Sequence, residues 1–348
     1  MNRKIKIGIV GCGMIGQVAH LANFVNLPNC EVVAAADLRP ELGKLAVNKF
    51  HIPNLFNSHI EMIEKCDFDA AVVVTRRNAT GPIVLDLIKA GKHVLSEKPM
   101  AHSVEQARML VEEAEKNKLI YSIGFMKRYD NGCQKVKQIF DDLTKSEELG
   151  KILSLRCYCY GGEFRTSPEN FMMSSEPRPD GLTLWRSCPE WLPNHLVNDY
   201  AWFLNVFIHD INLMRFLIGV PLRVKYLDFR QNNGRTILFD SELYPIILET
   251  AEQSETEWTE GIEVQFEYGR LKLALNSPLV EKSAQVELVR RKEIHKIDIA
   301  PGWAFSSQAE AFIEDIINTR VPLTSGRDSL IDMEIVEDIW RNYLEIEQ

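Results

Sequence analysis

The sequence predicts an α/β protein in two parts: an N-terminal doubly wound parallel sheet, then an α+β domain with a large, mainly antiparallel open sheet. Three observations predict it. The stretch "GIVGCGMIG", residues 8 to 16, sets a glycine-rich turn directly after an apolar run. Short β-branched runs then alternate with amphipathic ones as far as Gly124, the pattern of strands joined by crossover helices. Beyond Gly124, strand-like runs follow one another with short joins, which favours antiparallel pairing. The expected domains are therefore residues 1–124 and 125–348.

In the first part the strands are expected at "KIGIV", "EVVAAAD", "AAVVVT", "HVLSEKP" and "LIYSIG". Ser58 with Glu61, and Ser103 with Gln106, have the spacing of capping boxes, in which each side chain satisfies an amide that the helix start leaves without a partner. In the second part, "ILSLRCYCY", "LRVKYLDFR", "GIEVQFEY" and "RLKLALN" are the strand candidates. A helix is expected from about Trp202 to Leu217. Two more close the chain, in "SSQAEAFIEDIINT" and "SLIDMEIVEDIWRNYL". There is no repeat and no low-complexity linker.

A chain of 348 residues, 45% hydrophobic and 26% charged, has the composition of a globular protein with enough apolar content for two cores. Its 49 acidic and 40 basic residues give a formal charge of -9 without long like-sign blocks, so no nucleic-acid or membrane partner is expected. The seven cysteines are scattered, with Cys157 and Cys159 on one face of a strand, and are read as reduced thiols. No leader-like opening and no apolar run near the roughly 18 residues of a spanning helix is seen, so the cytoplasm is the expected compartment.

Gly11, Gly13 and Gly16 form G-x-G-x-x-G between a strand and a helix, which is the context of a Rossmann dinucleotide site. Gly11 permits the tight turn, Gly13 lets the backbone approach a pyrophosphate, and Gly16 lets helix and strand pack closely. Asp37 ends the next strand, where its carboxylate can accept from the adenosine ribose hydroxyls and repel an extra phosphate. NAD is thus expected over NADP, with Arg39 close enough to offset the repulsion. After "HVLS", Glu97 and Lys98 reach the carboxyl edge of the sheet, and Pro99 stops the strand from continuing as a paired one. Lys98 can donate to a hydroxyl or carbonyl oxygen there.

Taken together, "VGCGMIG", "GKHVLSEKPMA", "GFMKRYD", "ELGKILSLRCY" and the closing "AFIEDIINTRVPLTSGRDSLIDMEIVEDI" resemble the glucose-fructose oxidoreductase, inositol dehydrogenase and MocA-like oxidoreductases along nearly the whole chain. The resemblance implies an N-terminal Rossmann domain and hydride transfer at a hydroxyl or keto carbon of a sugar, cyclitol or sugar derivative. It also implies a homodimer or homotetramer formed through the C-terminal sheet. By position, Lys98 matches the lysine of the family's EKP and His209 its catalytic histidine. The same resemblance assigns Met14, Ile15, Leu38, Thr75 and Glu97 to the coenzyme alongside Gly11, Gly13, Gly16, Asp37, Arg39 and Lys98. Arg128 and Asn205 are placed with the substrate alongside Lys98 and His209, with Asn205 also in the catalytic group; Trp185 joins them as an aromatic face able to pack on a sugar ring or in a core, in a segment where the chain departs from the family.

The chain departs from that pattern in "NVFIHDIN". Asn205 and Asn212 stand where the family commonly has aspartates, and Asp210 turns about 100° away from the face they share with His209. An asparagine can orient an imidazole but hardly charge it, so a neutral His209 is expected to take or return the substrate proton. In "VVVTRRNATG", Arg76 and Gly81 replace the proline and histidine that the resemblance leads one to expect. Arg76 and Arg77 are either solvated or a fork for an anionic substrate group. Two other readings stay open: a glycosidase that oxidises and re-reduces its sugar within one turnover, and a sensor of NAD or sugar that has lost the chemistry. Histidines 20, 51, 59, 93, 102, 195 and 295 are scattered singly, and no metal is expected.

Overall fold

The computed structural model describes residues 3–164, 170–177, 180, 182–219, 222–230, 233–253 and 257–347. Two compact units divide the chain, and neither is continuous: residues 1–125, 166–205 and 305–333 form one, residues 126–165, 206–304 and 334–348 the other. Segments 166–205 and 305–333, which the sequence reading leaves in the C-terminal part, thus group with the first unit.

In the first unit a six-stranded parallel sheet runs in the order β3-β2-β1-β4-β5-β6. Its strands are β1 (Ile5–Val10), β2 (Cys30–Ala36), β3 (Asn54–Phe56), β4 (Ala70–Val73), β5 (His93–Ser96) and β6 (Tyr121–Ile123). Between them lie α1, whose π-helical Gly16–Leu21 leads into Ala22–Phe24, then α2 (Pro40–Phe50), α3 (His59–Lys65), α4 (Arg77–Lys89) and α5 (Val104–Lys116). The short β3 is a strand that the sequence reading lacks. Both expected caps form: Ser58 Oγ accepts from Glu61 N at 3.1 Å and Ser103 Oγ from Gln106 N at 3.2 Å. In return, the side-chain oxygens of Glu61 and Gln106 accept from amides one residue further back, those of Asn57 and His102.

The core of this unit explains why segment 305–333 belongs to it. Ala309, Phe312 and Ile313 of α8 (Ala304–Asn318) are buried among Ile7, Ile9, Leu21 and Phe24. Burying each large apolar side chain contributes ~1.5–3 kcal/mol, so the helix closes a face that the sheet cannot cover by itself. Gln308 Nε2 and Thr324 Oγ1 both donate to the Ile123 carbonyl, which fixes the edge strand to the same segment.

His102 is buried in this unit at 3% exposure, and Tyr200 Oη donates to its carbonyl. Burial, reinforced by the Arg77 charge, pushes its imidazole down from 6.5 to about 4. In the unfolded chain the ring protonates near 6.5, in the fold only near 4. Stability is therefore complete above 6.5 and is lost as the pH falls toward 4, by on the order of 3 kcal/mol at most from this one group. Urea unfolding across that range is expected to show a smaller acid loss for His102→Gln than for the wild type; an equal loss would remove the assignment.

The second unit holds an eight-stranded sheet in the order β14-β13-β12-β11-β7-β10-β9-β8. Its strands are β7 (Ile152–Gly161), β8 (Arg223–Phe229), β9 (Arg235–Asp240), β10 (Ile246–Thr250), β11 (Thr259–Phe266), β12 (Gly269–Ala274), β13 (Gln285–Arg290) and β14 (Glu293–Lys296). All neighbouring pairs are antiparallel except β10 with β7, so the sheet is mixed rather than wholly antiparallel. The helix α6 (Asn131–Ser146), absent from the sequence reading, precedes it. Asp130 starts that helix by accepting from the amides of Gly132 and Cys133, and it also accepts from Ala284 N, which ties the helix start to the loop before β13.

Two long helices complete the list, α7 (Val197–Ile218) and α9 (Gly326–Glu347). The stretch Asn194–Ile218 is long and apolar enough to pass for a membrane span by composition, but it carries Asp199, Asn205, His209, Asp210, Asn212 and Arg215. Tyr200, Phe203, Leu204, Phe207 and Ile211 are fully buried, the pattern of a core helix.

Candidate functional site

The strands of the first sheet end in register. Val10 lies opposite Ala36 on one side and Val73 on the other, and Val73 lies opposite Ser96. The residues that follow, Gly11, Asp37, Thr75 and Glu97 with Lys98, therefore leave the sheet at one carboxyl edge, the edge at which open parallel sheets bind ligands.

The first turn is built as its glycines require. Gly11 has φ +103°, and a Cβ there would stand 2.1 Å from the Val74 carbonyl oxygen. A Cβ on Gly16 would stand 2.2 Å from the Gly11 carbonyl oxygen. Gly13 differs: a Cβ there would meet only Arg39 Nη2, at 3.9 Å. Its lack of a side chain thus serves the space in front of it and not the packing behind it.

That space is a cavity of about 490 Å³, whose lining includes Gly11, Gly13, Asp37, Leu38, Arg39 and Thr75. Asn57, Ser58, His59, Arg76, Leu182 and Thr183 also line it, and the sequence reading did not assign them to the coenzyme. Met14, Ile15, Gly16, Glu97 and Lys98 are not among its lining residues. Asp37 is 7% exposed, and its Oδ2 accepts from Cys12 N at 2.8 Å. Arg39 lays its guanidinium on the same carboxylate, at 3.0 Å from Nε and 3.1 Å from Nη2. The expected offset of charge at this position is therefore a direct ion pair. Burial and the Asp37 charge push the nearby Cys12 thiol up to about 12, so it stays neutral beside the cavity.

Glu97 makes two hydrogen bonds at this edge. Its Oε1 meets His20 Nε2 at 2.8 Å and its Oε2 accepts from Lys98 N at 3.2 Å. It thus fixes the backbone from which Lys98 projects. Lys98 is half-buried, and its Nζ donates to the Asn205 backbone oxygen at 2.7 Å and lies 3.5 Å from Asn205 Oδ1. The asparagine that replaces the family's aspartate therefore gives the amine an uncharged acceptor. Asn205 is four residues, about one helical turn, ahead of His209 in α7.

Trp185 explains the departure at residue 81. A Cβ on Gly81 would fall 2.3 Å from the Trp185 ring, and Trp185 N donates to the Asn78 carbonyl at 2.8 Å. The ring occupies the volume that any side chain at 81 would enter. Arg76 lines the cavity, while Arg77 lies near enough to act on His102.

In the second unit His209 is buried, and so is Arg128, at 4% exposure. Arg128 Nη2 donates to the Asn212 carbonyl at 3.0 Å and its guanidinium lies over the Phe216 ring. Those contacts let Arg128 brace α7. Asp210 points into a buried polar cluster. Cys157 Sγ is 3.9 Å from its Oδ1, and burial with the neighbouring Glu260 charge holds its carboxyl well above the usual range. Ligand-type atoms of Cys159, Asp210 and Glu260 lie within 4.8 Å of one another. The Lys127 ammonium pairs with Glu260 Oε1, and Trp258 Nε1 donates to Glu260 Oε2 at 2.8 Å. A lysine thus supplies positive charge to the cluster. Separations of 50 to 133 residues hid it from any reading of local spacing.

Comparison with known proteins agrees with this architecture. Residues 5–125 match the profile of the family GFO_IDH_MocA, described as an oxidoreductase family with an NAD-binding Rossmann fold. The match places residues 5–125 with the NAD-binding Rossmann domain of that oxidoreductase family. It is similar to an inositol 2-dehydrogenase/D-chiro-inositol 3-dehydrogenase of Lacticaseibacillus casei, 34% identical over 39% of this chain and 40% of that protein. It is also similar to an inositol 2-dehydrogenase of Salmonella typhimurium, 28% identical over 71% of this chain and 64% of that protein. The matches therefore span less than two thirds of either relative's own length. Among solved structures, KijD10, a 3-ketoreductase from Actinomadura kijaniata in complex with TDP-benzene and NADP, shares the fold with a TM-score of 0.75. The two are 19% identical, over 97% of this chain and 96% of that one.

Proposed function

We propose that this protein transfers a hydride between a nicotinamide dinucleotide and a hydroxyl or keto carbon of a sugar, cyclitol or sugar derivative, with NAD as the preferred coenzyme. The observation that carries the reading is the register of the sheet, which brings the Gly11–Gly13 turn, Asp37 and Lys98 to one edge. Gly11, Gly13, Asp37, Leu38, Arg39 and Thr75 would hold the coenzyme, and the open space before Gly13 fits a pyrophosphate. When bound, the dinucleotide supplies the acceptor or donor of the hydride.

The chain's own residues account for the rest. In this reading Lys98 donates from its ammonium to the substrate oxygen, and the Asn205 carbonyl keeps the amine oriented until substrate arrives. His209 takes the hydroxyl proton during oxidation and returns it during reduction. The dehydrogenases among the relatives support an alcohol or ketone substrate, and the inositol dehydrogenases among them support a polyol. A homodimer or homotetramer is also part of the proposal, tested by light scattering of the purified protein.

A panel of cyclitols, aldoses and ketoses, assayed for the absorbance of reduced nicotinamide, tests the activity. His209→Ala is expected to lower turnover on the best of them about a hundredfold. Unchanged turnover, with the variant folded and dinucleotide bound, would remove the role given to His209.

A further inference from the structure

Residues 170–177 and 182–186, themselves part of the first unit, are tied to the rest of it at several points. Gln17 exchanges two hydrogen bonds with the Met172 backbone, at 2.8 and 3.0 Å, and Lys49 Nζ donates to the Asn170 carbonyl at 3.0 Å. Leu182 and Thr183 line the cavity itself, and Gln106 Nε2 donates to the Arg186 carbonyl at 3.0 Å.

The decisive contact is that of Glu176. The helix α2 begins just after Asp37, with Arg39 in its cap position making no side-chain capping bond and Pro40 having no amide to offer. The next two amides, of Glu41 and Leu42, donate to the two carboxylate oxygens of Glu176, each at 2.9 Å. Ser174 Oγ donates to Oε2 at 2.8 Å. Partial burial opposes ionisation of Glu176, but the two amides, the hydroxyl and the Arg39 charge outweigh it and hold the carboxyl below its usual range. A negative charge thus sits at the start of α2, close enough to interact with Arg39, which follows Asp37 in the cavity lining.

We propose that Glu176 selects the coenzyme: its carboxylate holds the place that a phosphate on the adenosine 2′-oxygen would need. The inference rests on the reading of the cavity as a dinucleotide site. If Asp37 receives the ribose hydroxyls, a 2′-phosphate extends toward Arg39 and the first amides of α2, the groups best suited to bind it. Glu176 has already taken those amides and part of the Arg39 charge. A dianionic phosphate arriving there meets the Asp37 and Glu176 carboxylates against one guanidinium, whereas NAD brings no charge to that spot. Arg39 alone would favour NADP, and Glu176 cancels that preference from a segment some 135 residues away.

The test is the ratio of dissociation constants, Kd(NADP)/Kd(NAD), measured by calorimetric titration of the full chain. E176A and E176Q are both expected to lower it about tenfold or more relative to the wild type. E176Q keeps an acceptor oxygen for the helix and so guards against a change due to misfolding. A ratio unmoved within about twofold in the folded variants, both affinities shifting in parallel, would make Glu176 a mere helix cap and overturn the proposal. A wild type that binds neither dinucleotide would instead overturn the reading of the cavity on which it rests.

Discussion

Replacing Lys98 with alanine is expected to lower turnover by about 10²–10⁴, with a smaller effect on dinucleotide affinity. The amine is held at the carboxyl edge from two sides: Glu97 accepts from its backbone amide, and the Asn205 carbonyl accepts from Nζ. Removing it takes away a preorganised donor without opening the cavity, since Lys98 is not among the lining residues. Lys98→Met keeps most of the aliphatic stem and is expected to lose activity equally, which separates charge from packing. Steady-state kinetics on the best substrate, with dinucleotide titrations in parallel, gives the comparison. Turnover within about threefold of wild type in both variants would take Lys98 out of the chemistry.

Gly11→Ala and Gly13→Ala are expected to fail in opposite ways. At Gly11 a side chain meets a φ of +103° and a carbonyl oxygen at 2.1 Å, so β1 and β4 must move apart. A loss on the order of 3–5 kcal/mol in denaturant unfolding follows. At Gly13 the nearest atom is Arg39 Nη2, at 3.9 Å, so the free protein has room for a methyl group. The cost appears on binding, where overpacking by one carbon costs about 1–3 kcal/mol, or roughly tenfold and more in dinucleotide affinity. Equal behaviour of the two variants would mean that the turn serves packing only.

The contrast between these glycines shows what the sequence made legible. The spacing of Gly11, Gly13 and Gly16 between a strand and a helix, and Asp37 at the next strand end, are local patterns and need no knowledge of distant contacts. The alternation of period-2 runs with amphipathic helices likewise located five of the six parallel strands. The sixth, Asn54–Phe56, lies between Pro53 and Asn57 with no longer apolar run to announce it. The other misses are non-local. The parallel pairing of β10 with β7 depends on how the chain crosses the sheet, and segment 305–333 joins the first unit because Phe312 and Ile313 pack on strands some 300 residues earlier. Asp210 with Glu260 and Lys127, and Glu176 with the start of α2, are pairings across sequence that no motif announces.

The resemblance to a family added positions that spacing could not supply, and the structure gives several of them a definite setting. Lys98 meets Asn205, Trp185 fills the volume left by Gly81, and Arg128 is committed to the Asn212 carbonyl. Glu97, assigned to the coenzyme by the resemblance, holds His20 and the Lys98 amide.

The most direct measurement follows the transferred atom. A cyclitol or sugar from the substrate panel, deuterated at its hydroxyl-bearing carbons, is incubated with the protein and oxidised dinucleotide, and the recovered coenzyme is weighed by mass spectrometry. Deuterium carried on the reduced nicotinamide, accumulating about a hundredfold or more slowly when Lys98→Ala replaces the wild type, is the expected result. A coenzyme recovered oxidised and unlabelled with every substrate in the panel would contradict the assignment.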